Sequence, residues 1–140
     1  MKIVSLFILL IIYACKPTES KSSESMMFPT SKYEVVTVAD KSFTEKDNYQ
    51  VRIDTDKKVM GGKFDCNNFS VEYTLEDNSN NIDFGYAIST KMYCEGKMEM
   101  ENHFFSQLSK IKSYKYNDEV LSFFDEADAL VFKFKKIKND

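Results

Sequence analysis

The sequence is poor in the residues on which catalytic and metal sites most often depend. It has 140 residues, with one histidine, three cysteines and no tryptophan. A structural zinc ion needs about four Cys, His or carboxylate ligands, and the chain has no local Cys/His cluster. No nucleophile can be paired with the histidine on sequence grounds. We therefore expect a protein that is not an enzyme and binds neither a metal nor a cofactor.

Basic residues are also few. The 19 lysines and arginines are outnumbered by 22 acidic residues, and the formal net charge is −3. Nucleic-acid binding requires a clustered positive field, so no nucleic-acid partner is expected. Only four glycines and two prolines are present, which excludes a fibrous or long low-complexity chain. The 12 phenylalanines and 8 tyrosines can fill the core of one small domain.

One long hydrophobic run is present, from Ile3 to Tyr13, directly after the basic start Met1-Lys2. It is too short for a membrane-spanning helix, which needs about 20 residues, and is typical of a signal peptide. The run ends in Ala14-Cys15, which resembles the site cleaved by lipoprotein signal peptidase. We expect residues 1–14 to be a signal peptide and Cys15 to carry the lipid. A signal peptide without lipidation, with an incidental Cys15, is the alternative.

A Ser- and charge-rich stretch follows Cys15. We expect residues 15–30 to form the lipidated start and a flexible tether, and residues 31–140 to form one domain. A lipid anchor at Cys15 would attach the domain to a membrane. The predicted location is the bacterial cell envelope, on the periplasmic side of the outer membrane.

The pattern of the domain predicts an α+β fold, a mainly antiparallel, partly closed, barrel-like sheet with one substantial helix packed against it. Alternation of apolar and polar residues is the signal for strands. The predicted strands are Tyr33–Val38, Tyr49–Asp54, Lys58–Asp65, Phe69–Leu75, Ile82–Ile88, Ser113–Tyr116, Val120–Phe124 and Leu130–Lys136. Gly61-Gly62 predicts a bulge or a close backbone approach. The lysine-rich end, residues 133–138, predicts an edge strand protected by its charges, with a contact to anionic lipid heads as the alternative.

The period changes to that of an amphipathic helix around Met98–Ile111. Glu101 falls in the middle of its apolar stripe, between Phe105 and Leu108. We expect its carboxylate to be buried and hydrogen-bonded to strand N–H groups or to Arg52, with a binding or acid–base role as the alternative. His103 falls on the polar side and is expected to be exposed.

Three motifs occur in order. Cys66-Asn67-Asn68 follows a glycine-bearing strand. Thr90-Lys91-Met92-Tyr93-Cys94 follows a hairpin. Met98-Glu99-Met100-Glu101-Asn102-His103-Phe104, continuing to Leu108, opens the helix.

Together these motifs resemble those of the META domain, the family of the heat-shock lipoprotein HslJ, over about residues 28–138. The resemblance singles out six residues of structural motifs, which are Asn67, Thr90, Met92, Glu101, Phe104 and Leu108. Asp65 stands where the family usually has glycine, Tyr93 replaces a small residue, and the family's tryptophan is missing. The resemblance implies a small envelope protein linked to heat shock, antibiotic resistance or motility, and it implies no agreed catalytic activity.

Cys66 and Cys94 are the cysteines that remain if Cys15 carries lipid. The compartment beyond the inner membrane is oxidising, so a disulfide between them is the leading expectation. Two unpaired thiols, or a metal or catalytic thiol, are the alternatives.

Three functions remain open from the sequence. The first is a non-catalytic module that contacts an unknown envelope protein or acts in stress tolerance. The second is a carrier that holds a small apolar ligand or lipid between helix and sheet. The third and weakest is an enzyme.

Overall fold

A computed structural model describes residues 27–44, 46–96 and 98–138. The predicted signal peptide, the lipidation site Cys15 and residues 15–26 of the predicted tether lie outside the described residues. The described residues form β1 (Ser31–Val38), β2 (Lys41–Ser42), β3 (Gln50–Asp54), β4 (Val59–Phe64), β5 (Asn67–Leu75), β6 (Ile82–Phe84), β7 (Ile88–Ser89), α1 (Glu99–Leu108), β8 (Ser113–Asn117), β9 (Val120–Phe124) and β10 (Leu130–Lys136). In this part of the chain, no helix has the length and apolarity needed to span a membrane.

The sheet is antiparallel and nearly closes into a barrel. Its strand order is β6-β5-β4-β3-β1-β10-β9-β8, with β2 paired to β1 and β7 paired to β5. The first and last strands of this order meet, because the Ile82 N–H donates to the Lys112 carbonyl at 3.0 Å and the Tyr114 N–H donates to the Asn80 carbonyl at 2.9 Å. The predicted α+β fold is confirmed.

The strands form because their alternation matches a sheet with one apolar face. In β5, Phe69, Val71 and Tyr73 are buried, while Ser70 and Glu72 between them are exposed. A closed sheet gathers such inward side chains into a single core and leaves the outward ones in water.

The helix α1 covers the end of the barrel where β4 turns into β5. It is shorter than predicted, since the chain after Leu108 forms a turn and then enters β8. Phe104 is fully buried, and its ring centroid lies 4.6 Å from those of both Phe64 and Phe132. The aromatic side chain of the helix therefore fills the end of the barrel directly.

The lysine-rich strand at the end of the chain is not an edge. β10 lies between β1 and β9 and pairs with both, so the predicted protected edge is wrong. Its lysines alternate with the buried Phe132 and Phe134. In a nearly closed barrel, a strand that pairs on both sides still has one face in water. Alternating lysines are therefore compatible with a position between two other strands.

The glycine pair in β4 marks a close backbone approach rather than a bulge. The register of β4 with both neighbours is continuous. A Cβ atom on Gly62 would lie 2.6 Å from the Gln50 carbonyl oxygen and 2.9 Å from the Phe69 ring. Any larger residue at position 62 would therefore force the strands apart.

Burial also sets the titration of the core tyrosines. Tyr33 donates a 2.8 Å hydrogen bond from its hydroxyl to the Pro29 carbonyl, and burial raises its pKa well above the usual range. Burial, followed by the charge of Asp54, raises the pKa of Tyr73 to about 12. The fold thus favours the neutral phenols.

Candidate functional site

One stretch of the chain, residues 86–93, carries several large apolar side chains that are exposed to water. We call it the exposed segment. Tyr86 is 99% exposed, Ile88 78%, Met92 53% and Tyr93 82%. The predicted continuous strand Ile82–Ile88 is wrong, because the structure divides it into β6 and β7. Strand β6 ends at Phe84, after which the Gly85 N–H donates to the Glu72 carbonyl at 2.8 Å and the alternation is interrupted.

The buried side chain of Asn67 holds the exposed segment in place. Its Oδ1 accepts hydrogen bonds from the Met92 N–H and the Thr90 hydroxyl, both at 2.8 Å, and its Nδ2 donates to the Met92 carbonyl at 3.2 Å. Asn67 is 1% exposed, so loss of these bonds would leave polar groups buried without partners. The structure therefore brings Asn67, Thr90 and Met92 of the sequence motifs together as one clamp.

A disulfide fixes the end of the same segment. Cys66 and Cys94 are bonded, with their Cα atoms 6.0 Å apart. Cys66 is buried in the turn directly before β5, whereas Cys94 is half-buried directly after the exposed segment. The predicted disulfide is present, and it anchors the segment covalently to the barrel.

The turn before Cys66 accounts for a difference from the family pattern. Asp65 has a φ of 31°, a region that favours glycine. Aspartate tolerates such a conformation better than most residues, and here its carboxylate accepts a 2.9 Å hydrogen bond from the Tyr49 hydroxyl. The turn can therefore form without the glycine.

The motifs and the fold agree with the comparisons with known proteins. The family model of the META domain matches residues 26–137. The chain belongs to the META domain family. No curated protein matches the sequence significantly.

Two solved structures share the fold of this META domain. A DUF4847 family protein from Bacteroides vulgatus matches with a TM-score of 0.59 and 13% identity, over 81% of this chain and 97% of that one. A protein from Burkholderia xenovorans matches with a TM-score of 0.56 and 16% identity, over 79% and 83% of the two chains. The Bacteroides chain consists almost entirely of the matched region, so the fold exists as an independent unit.

The helix motif of the META domain contributes to the core and buries one acid. Phe104 and Leu108 are buried as predicted, and Glu101 is 4% exposed, which confirms its predicted burial. However, Arg52 lies exposed on β3, so the expected pairing with it is wrong. Within the described residues, the Glu101 Oε2 atom has no hydrogen-bond partner. Its place in the first turn of α1, where the peptide dipoles favour negative charge, partly compensates for this.

His103 is less exposed than predicted. Its ring lies against the end of β1, with Nε2 at 3.3 Å from the Val38 carbonyl oxygen and 3.4 Å from Asp40 Oδ1. A helix phase alone could not show that the chain after β1 folds back over the polar side of α1. Among the described residues, no group of three or more His, Cys, Asp or Glu side chains could hold a metal ion.

A groove opens beside the exposed segment, between the C-terminal half of α1 and the chain after β6. Its volume is about 510 Å³. One wall carries Phe84, Tyr86 and Ala87, and the other wall and floor carry Phe105, Leu108 and Ile111. The sequence did not predict this groove, because the irregular path of residues 85–87 creates it.

An acidic hollow adjoins the groove and shares Asp83 and Lys112 with it. Glu76 and Glu126 also line the hollow, so three carboxylates surround one ammonium group. Lys112 Nζ donates to Asp83 Oδ1 at 2.9 Å, and this hydrogen bond, together with the charge of Asp83, raises the pKa of Lys112. The lysine is thus already paired, and the hollow keeps an excess of negative charge.

Proposed function

We propose that the protein is a non-catalytic lipoprotein of the bacterial cell envelope that binds another envelope protein through the exposed segment. The observation that carries this proposal is the combination of four water-exposed apolar side chains with a rigid support. A segment without this support would change its conformation and shield such side chains from water. Here the pairing of β7 with β5, the Asn67 side chain and the disulfide hold the segment with these side chains outward. Binding to a preordered surface loses less conformational entropy, which favours a contact role.

The absence of catalysis forms part of the proposal. The two cysteines of the domain are bonded to each other, so neither offers a free thiolate. The histidine faces a backbone carbonyl and an aspartate rather than a nucleophile. These contacts support a binding role better than a chemical one.

The location and the biological setting are proposed with it. The signal-like start and Ala14-Cys15 support a lipid anchor at Cys15 and a place at the periplasmic side of the outer membrane. Membership of the META family supports a role in stress tolerance. Metabolic labelling with a fatty-acid analogue should mark the wild-type protein but not Cys15→Ser. An unlabelled wild-type protein would contradict the anchor.

In-cell cross-linking tests the contact surface. A photoreactive benzoylphenylalanine placed at Tyr86 or Tyr93 should give one discrete adduct with the same protein. The matched control is the same group at Lys133, which is exposed on β10 of the barrel. Equal adducts from all three positions, or none from the segment, would refute the proposed surface.

A carrier of a small apolar ligand or lipid is the second candidate, and the open groove is the observation that favours it. The predicted site between Phe104 and the sheet is filled by stacked rings, with Phe104 at 4.6 Å from Phe132. Any such ligand would have to occupy the groove beside Phe105 and Leu108 instead.

A further inference from the structure

The groove and the acidic hollow form one continuous surface of two chemical characters. Leu108 and Ile111 are 3% and 1% exposed and form an apolar floor. At Asp83 and Lys112 this floor leads into the hollow. A volume of about 510 Å³ lies within the range in which ligand pockets enclose a small molecule or a few side chains.

The charges of the hollow select the occupant. Three carboxylates face one ammonium group, which leaves two excess negative charges. Asp83 is paired with Lys112, and Glu76 accepts hydrogen bonds from Asn81 and Ser79. Glu126 is exposed, and its charge is the last of the causes that raise the pKa of Lys112, after the hydrogen bond and the charge of Asp83. The hollow therefore keeps one exposed carboxylate that a second cation can approach.

We propose that this surface binds a basic amphipathic peptide segment, with apolar side chains on the groove floor and a lysine or arginine in the hollow. This rests on the proposed function and names the chemical class of its protein partner. An amphipathic segment in an apolar groove is a common mode of peptide recognition, and complementary charge fixes its direction. An anionic bilayer surface or a fatty acid would meet repulsion from the same carboxylates.

The exposed segment borders this surface. Tyr86 lines the groove and is almost fully exposed, so its ring can close over a bound side chain. Tyr93 belongs to the same segment but does not line the groove. Substitution of each tyrosine therefore distinguishes binding in the groove, which needs Tyr86, from contacts elsewhere on the segment, which involve Tyr93.

The test uses the soluble domain from residue 27 onward, which contains every buried core residue that the structure describes and has the fold that the Bacteroides protein forms as an independent unit. The probe is a short synthetic peptide with leucine on one helical face and lysine on the other. Amide chemical shifts should change at residues 83–87 and 105–112, and binding should weaken with added salt. Changes centred elsewhere, or no binding, would overturn the proposal.

Two variants and their controls sharpen the test. Glu126→Lys and Tyr86→Ser should each weaken binding by roughly threefold to tenfold. Glu95→Lys makes the same charge change at an exposed position outside the groove, and Tyr93→Ser removes a tyrosine outside it, so both should bind normally. Equal loss with Glu95→Lys would show general charge attraction and overturn the proposal.

Two further probes distinguish a basic peptide from other possible occupants of the groove. A leucine and glutamate peptide of the same pattern should not bind. If it binds equally, or if laurate alone shifts the groove amides, the proposed occupant is wrong. Cross-linking from Tyr93 in cells does not depend on the groove. A failure of the peptide to bind would therefore leave the proposed function intact, and a failure of the cross-linking would leave the peptide result intact.

Discussion

The inner face of α1 and the exposed segment are neighbours in sequence, yet they are held in opposite ways. Phe104 is positioned by several aromatic rings together, because it contacts Phe64, Phe69 and Phe132. The exposed segment is held by the two-residue pairing of β7 with β5, by one asparagine side chain and by one disulfide. A core distributes its stability over many contacts, whereas an outward-facing apolar segment must be fixed by a few specific ones. Changes in the first region should unfold the domain, and changes in the second should release one segment.

The largest effect should come from the core. Phe104→Ala should lower the free energy of unfolding by about 4 kcal/mol, because it removes a fully buried ring and leaves a cavity. Tyr93→Ala, which truncates an exposed ring, should change it by less than about 0.5 kcal/mol. Urea melts of the soluble domain measure both. Similar effects at the two positions would contradict the contrast between the regions.

The disulfide comes next. The double variant Cys66→Ala/Cys94→Ala opens a covalent loop with a sequence separation of 28, and should lower the free energy of unfolding by roughly 3 kcal/mol. Amide hydrogen exchange should quicken most in residues 86–94 and least in the barrel strands. An unchanged exchange rate in that segment would show that the pairing of β7 with β5 and the Asn67 side chain fix it without the disulfide.

Sequence periodicity predicted the first region well and the second poorly. The alternation of Phe69, Val71 and Tyr73 corresponds directly to burial in β5, because one face of a strand points into the core. The same reasoning failed between Phe84 and Ile88, where the chain leaves the sheet after β6 and rejoins it at β7 with Tyr86 and Ile88 exposed. Periodicity reports which side chains would share a face, and only non-local pairing decides whether the strand continues.

The clamp and the tail show the same limit. No pattern in the sequence indicates that Asn67 bonds to Met92, which lies 25 positions away, and only the resemblance to the META motifs singled it out. The lysines of β10 predicted an edge, but strand order places this strand between β1 and β9. Strand order depends on which strands meet across long loops, and composition carries little information about that.

High pH should weaken the core by charging its phenols. The pKa of Tyr73 rises from an ordinary 10.0 to about 12 through burial, so its stabilising contribution is complete below pH 10 and is lost as the pH rises through 12. The free energy of unfolding should fall by roughly 2 kcal/mol over this window. Urea melts between these pH values measure the loss, and Tyr73→Phe should reduce it. The same slope in that variant would assign the effect to other groups.

Removal of the clamp should have a smaller effect. Asn67→Ala leaves the Met92 N–H and the Thr90 hydroxyl without their acceptor, and should lower the free energy of unfolding by about 1.5 kcal/mol. Its neighbour Asn68 is exposed, so Asn68→Ala is the matched control and should have little effect. Faster amide hydrogen exchange at residues 90–94 in Asn67→Ala, but not in Asn68→Ala, would show that the loss of stability arises in the exposed segment. Equal losses in both variants would contradict the role of the Asn67 side chain.

The smallest effect, and the one of opposite sign, concerns Glu101. Its Oε2 atom is buried without a hydrogen-bond partner among the described residues, so the carboxylate should oppose folding at this position. Glu101→Met keeps the length of the side chain and removes the polar oxygens, at the loss of a favourable interaction with the helix dipole of about 0.5 kcal/mol. The net result should be an unchanged or slightly higher free energy of unfolding, by up to about 1 kcal/mol. Glu99→Met is the control, because Glu99 is 87% exposed and bonds to Lys41 at 3.1 Å, and it should lower stability by less than about 0.5 kcal/mol. Urea melts of the two variants decide the matter, since a loss above about 2 kcal/mol in Glu101→Met would mean that the carboxylate has a stabilising partner in solution.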